Sequence, residues 1–79
     1  MTDLKGTLAN IARAIVDNPD EVVVTVIEES ENAMSLKLSV ATPDMGKVIG
    51  KHGKIAKAIR QLMKAAANGT GKKVTIDIE

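Results

Sequence analysis

Not one Phe, Tyr or Trp occurs among the 79 residues of this chain, so any core has to be assembled from Ile, Val, Leu, Met and Ala. Aromatic side chains bury the largest areas per residue, and a chain this short has little interior to begin with. The fold must therefore be simple, with amphipathic elements laid directly on one another, and association with a second chain would add stability. Cysteine is absent as well, which excludes disulfides, thiolate metal sites and a cysteine nucleophile. The length is that of one domain, and residues 1–79 are expected to form it. The first ten residues are polar and lack the apolar stretch of a secretory signal. No apolar run approaches the roughly 20 residues that span a bilayer. A cytoplasmic protein with no membrane partner is the expectation.

Periodicity then assigns the elements. Leu4, Leu8, Ile11 and Ile15 recur at helical spacing and mark an amphipathic helix that Asn18-Pro19-Asp20 terminates. Residues 21–28 are dominated by β-branched side chains and predict a strand. After the polar turn Ser30-Glu31-Asn32, a second strand alternates cleanly. Met34, Leu36, Leu38 and Val40 lie on one face, and Ser35, Lys37 and Ser39 on the other. The short connection makes the pair an antiparallel hairpin. Thr42-Pro43-Asp44 reads as a helix start, with Thr42 as cap and Asp44 complementing the dipole. Only Met45 to Ile49 can follow before Gly50 and Gly53 interrupt. A longer helix is predicted over 54–67, with Ile55/Ala56, Ile59, Leu62/Met63 and Ala66 inward and Lys54, Lys57, Gln61 and Lys64 outward. Residues 73–79 close as a third strand. The order α-β-β-α-α-β describes an α+β two-layer domain. Its three-stranded mixed sheet is covered on one face by three helices, with the last two strands parallel across the helical crossover and the other face polar.

The net charge of +1 hides a segregation. Residues 1–44 hold three basic and eight acidic side chains, whereas residues 45–76 hold eight basic and no acidic ones. A field of one sign acts on whatever touches that part of the surface, and the partner it selects is an anion. The glycines sit in the middle of the basic half. Two glycines three residues apart let the chain reverse sharply between helices and let a ligand backbone approach closely. The free N–H groups and positive dipole end of the following helix point at the same place. Lys47, Lys51, His52 and Lys54 surround it, which makes phosphate the natural ligand.

Val48-Ile49-Gly50-Lys51-His52-Gly53 resembles the V-I-G-x-x-G signature of KH domains, whose GxxG loop clamps a short stretch of nucleic-acid backbone. The element order resembles the type II (prokaryotic) KH fold over essentially the whole chain. With Gly-Lys-Ile-Ala-Lys-Ala-Ile-Arg over residues 53–60, it is similar to the small bacterial KhpA family. One position departs from the pattern: Ala56 stands three residues after the second glycine, where many KH domains carry a branched aliphatic. The resemblance implies an RNA-binding protein acting as an RNA chaperone or post-transcriptional regulator, linked to cell shape and division. In that role Gly50, Lys51, His52 and Gly53 hold the backbone of single-stranded RNA and Lys47, Lys54 and Lys57 attract it. Ile49 would lie under the bases, and the turn at residues 29–33 would act as the variable loop across the groove. It also implies a homodimer and pairing with a larger KH-containing protein. That leaves a rival reading of the chain as a protein-interaction module with little RNA affinity of its own.

Other chemistries fail on their own motifs. Three residues separate Gly46 from Gly50 where a P-loop needs four, and His52 stands where Ser or Thr would hold Mg²⁺. The dinucleotide fingerprint is absent. His52 is the only histidine and has no Cys or carboxylate close in sequence to complete a metal site. No enzyme, metal or cofactor is expected.

Overall fold

The computed structural model describes residues 3–79. Helix α1 spans Leu4–Ile15. Asp3 caps it by accepting the Gly6 N–H on its carboxylate at 3.1 Å. At Val16 the backbone turns extended, and a single 3₁₀ turn at Pro19–Glu21 leads into strand β1, Val23–Glu29. Strand β2, Ala33–Ser39, returns antiparallel after a tight turn, in which the Ser30 hydroxyl accepts the Ala33 N–H at 3.1 Å. A 3₁₀ turn at Thr42–Asp44, the five-residue α2 at Met45–Ile49, a third 3₁₀ turn at Lys51–Gly53 and the long α3 at Lys54–Ala67 make the crossover. Strand β3, Lys73–Ile78, then pairs parallel with β2. The sheet order β1-β2-β3 puts β2 at the centre, with the helical crossover carrying the chain from β2 to a parallel neighbour.

The core lies between the sheet and the helices. Alternation on β2 buries Met34, Leu36, Leu38 and, just past the strand, Val40, while Val22 and Val24 join them from the β1 side and Ile76 from β3. From the helices come Leu4, Leu8, Ala9 and Ala12 of α1, Val48 of α2, and Ala56, Ile59, Met63 and Ala67 of α3. Helix α1 packs on β1 and β2 and α3 on β3, while α2 packs on α1 and α3. With no ring to fill space, buried leucines at positions 8, 36 and 38 together with Ile59 and Met63 carry the centre.

Two expectations are corrected. Helix α3 turns the 56/59/63/67 stripe inward, so Ile55 and Leu62 stand 38% and 55% exposed outside the core. Both stripes are apolar at seven-residue spacing, and packing against α1 and the sheet chose between them. The uncovered sheet face is not uniformly polar either: Val23, opposite Ser39, is 54% exposed, and so is Ile27 at the strand's irregular point. At Ile27 a bulge between Val26 and Glu28 shifts the register and breaks the strict alternation.

Candidate functional site

Helix α2 is stopped at Gly50, whose N–H still reaches the Gly46 carbonyl at 2.9 Å. Gly50 adopts φ 74°, ψ 173°, a region essentially reserved for glycine. Space demands glycine too. A Cβ at this position would overlap the Ile55 side chain and lie 2.9 Å from the Ile55 nitrogen. The chain then makes one tight turn, with the Gly53 N–H donating to the Gly50 carbonyl at 3.2 Å and the Lys54 N–H to the Lys51 carbonyl. His52 (φ 59°) and Gly53 (φ 74°) are both left-handed, and for Gly53 an added Cβ would meet nothing. Its glycine character therefore serves conformation and leaves the outer side of the turn open; it serves no internal packing.

Among the described residues no side chain caps the start of α3. The loop's own side chains, Lys51 and His52, are exposed, as is Lys54 in the first turn. Of the residues singled out by sequence, the structure gathers Gly50, Lys51, His52, Gly53 and Lys54 at this one corner. Lys47 is turned toward α1, where its ammonium pairs with the Asp17 carboxylate at 3.2 Å. Ile49 is 38% exposed on α2.

Lys57 opens onto a second feature, a groove of about 730 Å³ between α3 and β3. Lys57, Arg60, Gln61 and Lys64 form its helical wall, and Lys73 to Ile76 its strand wall. The connection holding Asn68, Gly69, Gly71 and Lys72 closes one end. Among the described residues no acidic side chain lines it. The apolar residues among its lining are Ala67, Val74 and Ile76, and Ile49 lies outside it. Of the 29–33 turn only Asn32 reaches the groove, so the α3–β3 connection stands where that turn was expected. Arg60 crosses the groove and donates from Nε to the Ile76 carbonyl at 3.2 Å, which fixes a guanidinium against the strand. Lys72 is tied to the Glu29 carboxylate at 2.6 Å. Sequence reasoning did not place Arg60, Lys64, Lys72 and Lys73 together in a groove; the acid-free run of residues 45–76 was the available signal.

Asp44 stands at the start of α2, and its carboxylate does more than complement the helix dipole. It is buried and accepts three hydrogen bonds: from the Asp17 N–H at 3.2 Å, the Asn18 N–H at 3.0 Å and the Asn18 side-chain amide at 3.0 Å. Burial alone would raise its pKa. The Asn18 side chain, the two backbone donors and the nearby Lys47 charge outweigh that and hold it below the ordinary carboxylate range. Asp44 thus welds the end of α1 to the start of α2 and sets the position of the loop. Among the described residues no group of three or more His, Cys, Asp or Glu side chains is placed to hold a metal ion, and no helix is long and apolar enough to cross a membrane.

A three-stranded mixed sheet carrying two helices joined by a left-handed Gly-x-x-Gly turn defines a KH domain in the type II arrangement. The family described as "KhpA/KhpB, KH domain" matches residues 5–78. The chain is 51% identical to RNA-binding protein KhpA of Clostridium acetobutylicum over 95% of its own length and 99% of the relative's. It is 53% identical to RNA-binding protein KhpA of Caldanaerobacter subterraneus over 86% and 89% of the two chains, and 45% identical to that of Listeria monocytogenes over 95% and 97%. No solved structure gives a significant match. The chain belongs to the KhpA/KhpB KH-domain family.

Proposed function

We propose that this protein binds single-stranded RNA in the cytoplasm as one KH domain. It acts as an RNA chaperone or post-transcriptional regulator and catalyses no reaction. The observation that carries the reading is the union of the Gly50–Gly53 turn with an acid-free groove that begins at Lys57. At Gly53 the turn presents backbone that a sugar-phosphate chain can approach without meeting a Cβ, flanked by Lys51, His52 and Lys54. Arg60, Lys64 and Lys73 extend the positive surface along α3 and β3. With no aromatic ring for bases to stack on, base contact falls to aliphatic packing and to the amides of Gln61 and Asn68. Affinity from one such unit is modest, and a second KH unit would raise it by avidity. The test is fluorescence anisotropy of a labelled single-stranded RNA at several salt concentrations. Two to three neutralised phosphates give a slope of log K against log salt of roughly −1.5 to −2. A flat response contradicts the reading.

A second reading is favoured by one observation. Ile55 and Leu62 lie exposed on the same stripe of α3, with Ala58 and Ala65 also exposed between and beyond them. That narrow apolar strip suits a second helix, which makes it the place for a homodimer or for a larger KH-containing partner. Light scattering of the free chain and of Leu62→Glu tests it. A dimer that becomes a monomer in the variant supports this surface, and a variant that dimerises like the parent removes it.

A further inference from the structure

The basic groove occupies one edge of the sheet; the opposite edge is β1, and its chemistry is different. Strand β1 is paired with β2 on one side, and among the described residues no strand lies on its other side. An uncovered edge presents a row of backbone donors and acceptors to any extended chain that can align with it. Val23 and Ile27 add exposed aliphatic surface beside that row. Val23–Val26 contains no charged residue and no Pro, which commonly blunt such edges, and Glu28, Glu29 and the bulge lie beyond it. The bulge at Ile27 disrupts regular pairing toward the end of the strand and leaves Val23–Val26 as its regular part.

Charge decides between occupants. Asp20 and Glu21 precede the strand, Glu28 lies within it and Glu31 follows it, all exposed. The cations nearest by register and pairing are already engaged: Lys37 on β2 with Glu79 at 2.9 Å, and Lys72 with Glu29 at 2.6 Å. A second copy of this chain added antiparallel along β1 would bring Asp20 and Glu21 of each copy toward Glu28 and Glu31 of the other. Like charges facing across strands are destabilising. RNA is repelled for the same reason. A basic strand is the complement this edge lacks.

We propose that β1 is the docking strand for an extended, lysine- or arginine-rich segment of a partner protein, which joins the sheet as a fourth strand beside Val23–Val26. Backbone pairing supplies the contact, Val23 and Ile27 supply aliphatic packing, and Asp20, Glu21, Glu28 and Glu31 select for basic side chains. Strand β2 separates this edge from β3 and the groove. With neighbouring strands about 4.8 Å apart, both edges can be occupied at once.

The experiment titrates the isotopically labelled full chain with a short synthetic peptide that alternates lysine with valine and threonine, and follows backbone amides by NMR. One control peptide has the same charge but is interrupted by prolines, and a second carries glutamate in place of lysine. The proposal predicts shifts confined to residues 20–31 and to their β2 neighbours, with the same affinity when oligouridine is present. Glu21→Lys/Glu28→Lys, an exposed pair of changes, should weaken the peptide by about tenfold with circular dichroism unchanged. Equal binding of the proline-interrupted peptide, shifts centred on α3 or the groove, or no shift at millimolar peptide would overturn it. So would self-association of the free chain that Val23→Glu abolishes, since the occupant would then be a second copy. Failure of oligouridine to bind in the same samples would count against the RNA reading and leave this one standing.

Discussion

At Gly50 two constraints meet, a backbone conformation that side chains avoid and the Ile55 atoms that a Cβ would strike. Gly50→Ala should therefore lower stability by about 2 kcal/mol or more, read as a drop in the urea midpoint. Gly53→Ala meets only the conformational half of the penalty and should cost less. Asp44 makes stability depend on acid. Its folded-state pKa lies below its unfolded value, so its contribution is present above about pH 4 and is lost as the pH falls through the folded value. Asp44→Asn should be less stable than the parent at neutral pH. The gap in melting temperature should narrow as the pH is lowered; a constant gap would mean the carboxylate charge is not what matters. Asp17 sits on the other side of the same junction and holds the Lys47 ammonium. Asp17→Asn frees that cation while leaving the Asp17 N–H bonded to Asp44. RNA affinity should rise about two- to fivefold at low salt, with the gain fading at high salt. Unchanged affinity at low salt would place Lys47 outside the RNA path.

Among the elements, β2 was the most legible, because alternation of apolar and polar residues over a half-buried strand has only one reading. The antiparallel hairpin and the parallel β2–β3 pair followed from connection lengths. Helix α3 was legible as a helix but not in its orientation. Ile55/Ala56 and Leu62/Met63 are adjacent apolar pairs one heptad apart, and sequence alone cannot say which member of each points inward. The structure buries Met63 fully and leaves Leu62 more than half exposed. Met63→Ala should accordingly cost about 2–5 kcal/mol, whereas Leu62→Ser should change stability by no more than about 0.5 kcal/mol. Chemical denaturation of both variants checks this, and comparable losses would contradict the observed face of α3.

On the scale of the whole molecule, the charge segregation seen along the chain becomes a segregation in space. The acid-free groove follows α3 and β3, and Asp20, Glu21, Glu28 and Glu31 flank β1 at the opposite edge of the sheet. The loop was legible because Gly50, Lys51, His52 and Gly53 are contiguous in sequence. The groove was not, because Arg60 and Lys64 meet Lys73 and the Ile76 carbonyl only once β3 lies beside α3. Asp44 was hidden for the same reason, since Asn18 lies 26 positions away. What the account depends on most is that the Gly50–Gly53 turn holds RNA. The most direct measurement is anisotropy of labelled single-stranded RNA with the parent and with Lys51→Asp/His52→Asp, both shown folded by circular dichroism. The account predicts salt-sensitive binding by the parent and loss of binding in the double variant, because both side chains are exposed and two negative charges would face the phosphates. A folded double variant that binds RNA as the parent does would contradict it.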